Sequence, residues 1–107
     1  MATTYLVLGQ SVPTSGNSDL YVAAAQTVVS TISACNTTAA AATATIYVRI
    51  AGAAAATSNA LVYLQTVPAY STSTWTLGIT LANTDKVSVA SGTSGALTYS
   101  AFGSTIA

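Results

Sequence analysis

The chain has no histidine, one cysteine, and only four charged residues among 107: Asp19, Arg49, Asp85 and Lys86. Each scarcity removes a class of function. Without imidazole and with two carboxylates, the usual general acid–base pairs cannot be assembled, and the many serines have no neighbouring base to activate them. Asp19 and Asp85 each stand beside polar turn sequence, where aspartate more often shapes a turn than serves as one of a catalytic pair. No nucleophile-elbow, phosphate-loop or dinucleotide-binding glycine motif occurs. We therefore expect no enzyme, no catalytic residue and no cofactor. Zinc would need a Cys/His set that is missing. Calcium needs clustered acidic oxygens, of which Asn83, Thr84 and Asp85 offer one short arc.

Partners are narrowed in the same way. Arg49 and Lys86 do not make the basic patch that phosphate contact requires, even if the fold brings them together, so nucleic acid is not an expected partner. No apolar run reaches the roughly 18 residues of a membrane span. The opening MATTYLVLGQ lacks the basic segment and long apolar stretch of a secretory signal. We expect synthesis in a cytoplasm, with neither secretion nor a membrane partner. The single Cys35 forms no intrachain disulfide, and its alternating apolar surroundings suggest a small buried hydrophobe. Asn36-Thr37-Thr38 matches a glycosylation acceptor but is read as a turn.

What is abundant is alanine, threonine and serine: 22, 19 and 13 residues, half of the chain. A length of 107 residues fits one domain spanning 1–107. Ordinary domains are about 25% charged, so this surface is kept wet by hydroxyls or is covered. Hydroxyls on exposed strand faces would suffice for a soluble monomer. Net charge of zero with charge depletion and tyrosines, however, favours association with copies of itself or with a larger assembly.

Residues 74–89 give the clearest pattern. Trp75, Leu77, Ile79 and Leu81 alternate with Thr76, Gly78 and Thr80; Asn83-Thr84-Asp85 interrupts; Val87 and Val89 then alternate with Lys86 and Ser88. That predicts two paired strands with one buried face. Strands are also predicted over residues 5–10, 20–23, 27–36, 43–50 and 60–66. Residues 87–90 should form a hairpin with 96–102 across the glycine-containing turn 91–95. In 27–36, Val28, Ile32 and Ala34 could share a face, but that puts Ser30 on it too and leaves the register open. In 43–50, Ala44, Ile46, Val48 and Ile50 point inward, and Thr45, Tyr47 and Arg49 outward. Residues 11–17 and 67–73 are loops by composition, and residues 103–107 form a tail that is frayed or docked on a neighbour. The alanine runs 37–42 and 51–56 favour helix by propensity but are too short to nucleate one; they are read as a turn and a loop. About eight short strands without a helix predict an all-β, single-domain antiparallel β-sandwich, jelly roll-like or immunoglobulin-like. No Cys…Trp…Cys spacing supports a true immunoglobulin domain.

With the strands in order, the segments YLVLGQSVP (5–13), DLYVAAAQTVVSTISACNTT (19–38), ATIYVRIAG (44–52) and WTLGITLANTDKVSVAS (75–91) resemble small virion accessory proteins of tailed bacteriophages, over nearly the whole chain. Those proteins often carry Val-Pro-Ala-Gly where this chain has Val22-Ala23-Ala24-Ala25, so the turn there differs. The resemblance implies a β-sandwich virion component that decorates the capsid or attaches at a neck, tail or fibre. Expected partners are the major capsid protein or another virion protein, with several copies of the chain assembled together. The expected contact residues are Tyr5, Leu6 and Leu8 in the first strand, Leu61 and Tyr63 on a strand apolar on both faces, and Phe102. The alternative is a neck-, tail- or fibre-associated module that anchors a fibre or holds a host glycan through Tyr47 and Tyr70.

Overall fold

Alternation of apolar and polar residues becomes alternation of buried and exposed side chains along most strands of the computed structural model, which describes residues 3–14 and 17–106. The strands are β1 (Thr3–Ser11), β2 (Asn17–Val22), β3 (Gln26–Asn36), β4 (Ala42–Arg49), β5 (Ala60–Val67), β6 (Thr72–Leu81), β7 (Lys86–Ser91) and β8 (Leu97–Ile106). Two 3-10 turns, Ile50–Gly52 and Thr57–Asn59, lie between β4 and β5. Ser15 and Gly16 of the predicted first loop, and Ala107 of the predicted tail, fall outside the described residues.

Two four-stranded sheets result, with orders β1-β8-β3-β6 and β2-β7-β4-β5, antiparallel throughout. The partners 1 with 8, 2 with 7, 3 with 6 and 4 with 5 are those of one long hairpin rolled over on itself. That is the jelly roll. Only the β4–β5 connection stays within a sheet. The expected pairing of the two strands in 74–89 is therefore corrected: β6 and β7 belong to different sheets, and Asn83-Thr84-Asp85 is a corner between them. The expected hairpin of β7 with β8 fails for the same reason. A short polar turn can reverse a chain within a sheet or carry it across to the other sheet, and period-two alternation is the same in both cases.

The corners are tied to one another. At one end Ala23 N–H donates to Asp85 O, and Thr84 N–H donates to Ala23 O (both 2.9 Å). At the other, Asn36 N–H donates to Ser71 (2.8 Å), Thr37 N–H to Ala96 (3.0 Å) and Tyr70 N–H to Thr38 (3.1 Å). The Asn36 side chain, 1% exposed, completes this end as the expected turn. Its amide donates to the carbonyls of Ala40 (2.8 Å) and Val67 (3.0 Å), and its oxygen accepts from the N–H (2.9 Å) and hydroxyl (2.7 Å) of Thr38.

Between the sheets, Val29, Ile32, Ile46, Val87, Val89, Leu97 and Tyr99 are fully buried. Each large aliphatic contributes about 1.5–3 kcal/mol. Tyr99 is the polar tie across this core. From β8 its hydroxyl donates to Ala90 O (2.6 Å) and accepts from Thr45 N–H (3.3 Å) in the opposite sheet. Burial pushes its pKa up to about 12, against the smaller opposing effect of the Thr45 N–H.

Bulges reset the side-chain parity, and they explain most departures from the expected faces. In β3 the register shifts between Val29 and Thr31 against both neighbours. Thr27 and Val29 are buried before it, and Ile32, Ala34 and Asn36 after it. Val28 therefore faces outward, contrary to the face it was expected to share with Ile32. The extra residue, Ser30, donates its hydroxyl to Phe102 O (3.1 Å). Here the strands are so close that a Cβ on Gly103 would lie 1.9 Å from Val28 O, so only glycine fits β8 at this point. Opposite Ser30, β6 carries Leu77 and Gly78 (φ +61°) outside the register, and Leu77 is exposed where burial was expected. The bulge of β5 places Leu64 at φ +51°, its N–H donating to Thr45 Oγ1 (3.2 Å). Thr45 is thereby 4% exposed, although an outward position was expected. β1 bulges between Val7 and Gly9, where a Cβ on Gly9 would meet Leu20 O at 2.2 Å.

Three smaller corrections remain. Ile50 leaves β4 for the 3-10 turn and is 72% exposed, not inward. Cys35 is free and only half-buried, on the β3 face opposite Ala34 and Asn36. Residues 103–106 are not a loose tail but the last part of β8, held between β1 and β3.

Candidate protein-interaction surface

All four charges lie outside the sheet β1-β8-β3-β6. Arg49 and Lys86 are direct cross-strand partners on β4 and β7, a like-charge pairing that would be unfavourable alone. Asp19 bridges the two: its carboxylate lies 3.2 Å from Arg49 Nη1 and 3.7 Å from Lys86 Nζ. The buried Ser88 donates to Asp19 (3.0 Å) and accepts from Arg49 (3.1 Å). Asp19 is thus a strand residue in an ion cluster, not the expected turn residue. Asp85 does shape a turn, accepting from Ala82 N–H (3.0 Å) and Ala51 N–H (2.9 Å). Those two bonds, Ala51 first, hold its carboxyl below the usual range.

With three ions on the second sheet and Asp85 at the corner before it, the outer face of the first carries hydroxyl, amide and apolar side chains and no charged one. Its cross-strand rows follow from the register: Thr74, Ser33, Ser100 and Gln10; Thr76, Thr31, Phe102 and Val7; Thr80, Val28, Ser104 and Tyr5. The last two rows form an apolar end. There an open groove is lined by Tyr5, Leu6, Val7, Val28 and Phe102, with Ser30, Gly103 and Ser104 at its floor and sides. Tyr5 is 83% exposed, Val7 51%, Leu6 44% and Phe102 38%. The β1–β8 register sets Phe102 beside Val7, and the bulge at Ser30 adds Val28 to the patch by turning it out.

Of the residues expected to make contacts, the fold brings Tyr5, Leu6 and Phe102 together. Leu8 is half-buried and packs against the core. Leu61 and Tyr63 are exposed, but they lie on β5, at the far edge of the second sheet from β2, the strand packed beside β1. Leu64, at the kink of the same strand, is exposed as well. Val7 and Val28 were missed. Val7 alternates with Tyr5 in the same strand, a signal available in the sequence; Val28 was hidden by the bulge. Tyr70, with φ +53° at the 68–71 corner, is 74% exposed, whereas Tyr47 is half-buried in mid-sheet. Along β4, Tyr47 is roughly 16 Å from the Ala42 end that adjoins this corner, so the fold does not set the two tyrosines side by side.

No protein-family model, curated protein or solved structure matches this chain.

Proposed function

We propose that this protein is a non-enzymatic structural component of a phage virion, a capsid decoration protein that binds the shell in multiple copies. The observation that carries the reading is the uncharged outer face of β1-β8-β3-β6, with exposed Tyr5, Val7 and Phe102 at one end and threonine and serine rows at the other. Exposed aromatic and aliphatic groups, without an ion to desolvate, are the composition of an interface core. The resemblance of segments 5–13, 19–38, 44–52 and 75–91 to small virion accessory proteins supports the same reading. So does the jelly roll, which recurs in capsid proteins, though that likeness is one of fold alone.

The test is cosedimentation of the purified chain with phage shells that lack it. Saturable binding is expected, and Phe102→Lys should abolish it by placing an unpaired charge in the contact. A wild-type chain that leaves every such shell bare would refute the proposal.

A further inference from the structure

The four sheet edges differ in how they are protected against pairing with another strand. Edge strands are ordinarily blunted by charge, proline, bulges or kinks. β2 carries Asp19 with its two cationic partners and a register shift beside Leu20. β5 is kinked at Leu64 and slips register twice against β4. β6 is broken in its middle by Leu77 and Gly78. In β1, residues Thr3 to Val7 run in unbroken register against β8, from Thr3 opposite Ile106 to Val7 opposite Phe102. That stretch has no charge and no proline, and all five of its side chains are exposed. Its other edge has no strand beside it among the described residues.

We infer that Thr3–Val7 of β1 is the self-association edge of this protein: two copies pair these strands antiparallel about a two-fold axis through Tyr5, joining their first sheets into one eight-stranded sheet. An unpaired row of backbone N–H and C=O groups selects a strand as its occupant. The charge distribution selects a second copy. At a two-fold axis a residue meets its own copy, so a charge on or beside the axis would meet its like; Thr3–Val7 holds none, and nothing ionic opposes the pairing of two copies here. A partner that recognises by ion pairing would find nothing to pair with. The axis through Tyr5 uses the whole unbroken stretch and stops short of the bulge at Leu8. It sets Tyr5 against Tyr5, Thr4 against Leu6 and Thr3 against Val7, and aromatic and β-branched residues make favourable cross-strand pairs. The outer-face patch of Tyr5, Val7 and Phe102 then continues from one copy to the next.

The inference rests on the reading of Tyr5 and Leu6 as contact residues and names their partner. Its test uses the purified chain without shells, so that it can fail while shell binding stands, or hold while shell binding fails. Sedimentation equilibrium at roughly 100 μM should show a dimer. Tyr5→Lys/Val7→Lys should raise the dissociation constant at least about a hundredfold, with an unchanged circular dichroism spectrum and, when both chains are diluted until monomeric, an unchanged melting temperature, because both side chains are exposed. Tyr70→Lys, equally exposed at a corner, should leave the dimer intact. In a Cys35→Ser background, Tyr5→Cys should cross-link between copies under oxidation, and Tyr63→Cys should not. A monomeric wild type would overturn the inference, as would a dimer that survives the two lysines or cross-links only through position 63.

Discussion

Asn36→Asp exchanges one NH₂ for an oxygen, yet it should be among the most damaging single changes in this chain. The side chain is 1% exposed and makes four hydrogen bonds, two as donor. In the aspartate variant an oxygen would replace the amide nitrogen that now lies 2.8 and 3.0 Å from the carbonyls of Ala40 and Val67. Both donor bonds would become contacts between acceptors, with a negative charge buried beside them. Two lost bonds with their partners left unsatisfied cost about 1–3 kcal/mol each, so a total of about 4 kcal/mol is expected. That is a large share of a domain stability of about 5–15 kcal/mol. At about 4–8 °C per kcal/mol, the melting temperature should fall by roughly 15–30 °C near neutral pH. The pH dependence supplies a second check. The buried carboxylate faces two carbonyls, so its pKa in the folded state is raised above the unfolded value of about 3.9. A raised folded pKa means stability that is present below the unfolded value and is lost as pH rises through the folded one. The gap between variant and wild type should therefore narrow as pH falls into the carboxylate range, because protonation returns one donor. Asp85, with its lowered pKa, acts in the opposite direction but equally in both chains, so it cancels in the difference. Thermal melts followed by circular dichroism across acid to neutral pH measure this. A variant melting within a few degrees of wild type, or a gap that widens toward acid, would refute the assignment of the amide as a double donor.

Tyr99→Phe should cost about 1–3 kcal/mol in thermal or urea unfolding, by leaving the Ala90 carbonyl and Thr45 N–H without their partner in the core. With its pKa pushed up to about 12, the neutral phenol contributes stability that is whole below about pH 10 and is lost as pH rises through about 12. The phenolate absorbance that wild type shows and Tyr99→Phe lacks should therefore grow in near pH 12. Gly103→Ala should destabilise by about 3 kcal/mol, since its Cβ has no room beside Val28 O; a neutral effect on the melting temperature would contradict the bulge geometry. Asp19→Asn should cost about 1 kcal/mol, and less in high salt, because it leaves Arg49 and Lys86 opposite each other without their shared counter-ion.

Much of this fold can be read from period-two alternation, and its limits are physical. Residues 86–91 and 72–81 alternate as strands do, but alternation reports burial, not hydrogen-bonding partners. The jelly roll sends neighbouring strands to opposite sheets at six of its seven connections, so nearest-neighbour pairing misleads there. The register of β3 is present in the sequence as a parity change: Thr27 and Val29, then Ile32, Ala34 and Asn36, with Ser30 as the inserted residue. Without the partner strands, that change looks like noise. The candidate surface was half legible for the same reason. Tyr5 and Phe102 stand out as large groups near the ends of the chain. Their meeting depends on β1 lying beside β8, and Val28 joins them only through the bulge. The ion cluster could not be foreseen, because Asp19 is 30 residues from Arg49 and 67 from Lys86 and only the order β2-β7-β4 brings the three together.

The most direct test of the virion reading is the number of copies of this protein relative to the major shell protein in an intact particle, counted by quantitative mass spectrometry. A decoration protein should be present on the order of hundreds of copies, in fixed proportion to the repeating shell lattice. About a dozen copies, or none at all, would contradict it.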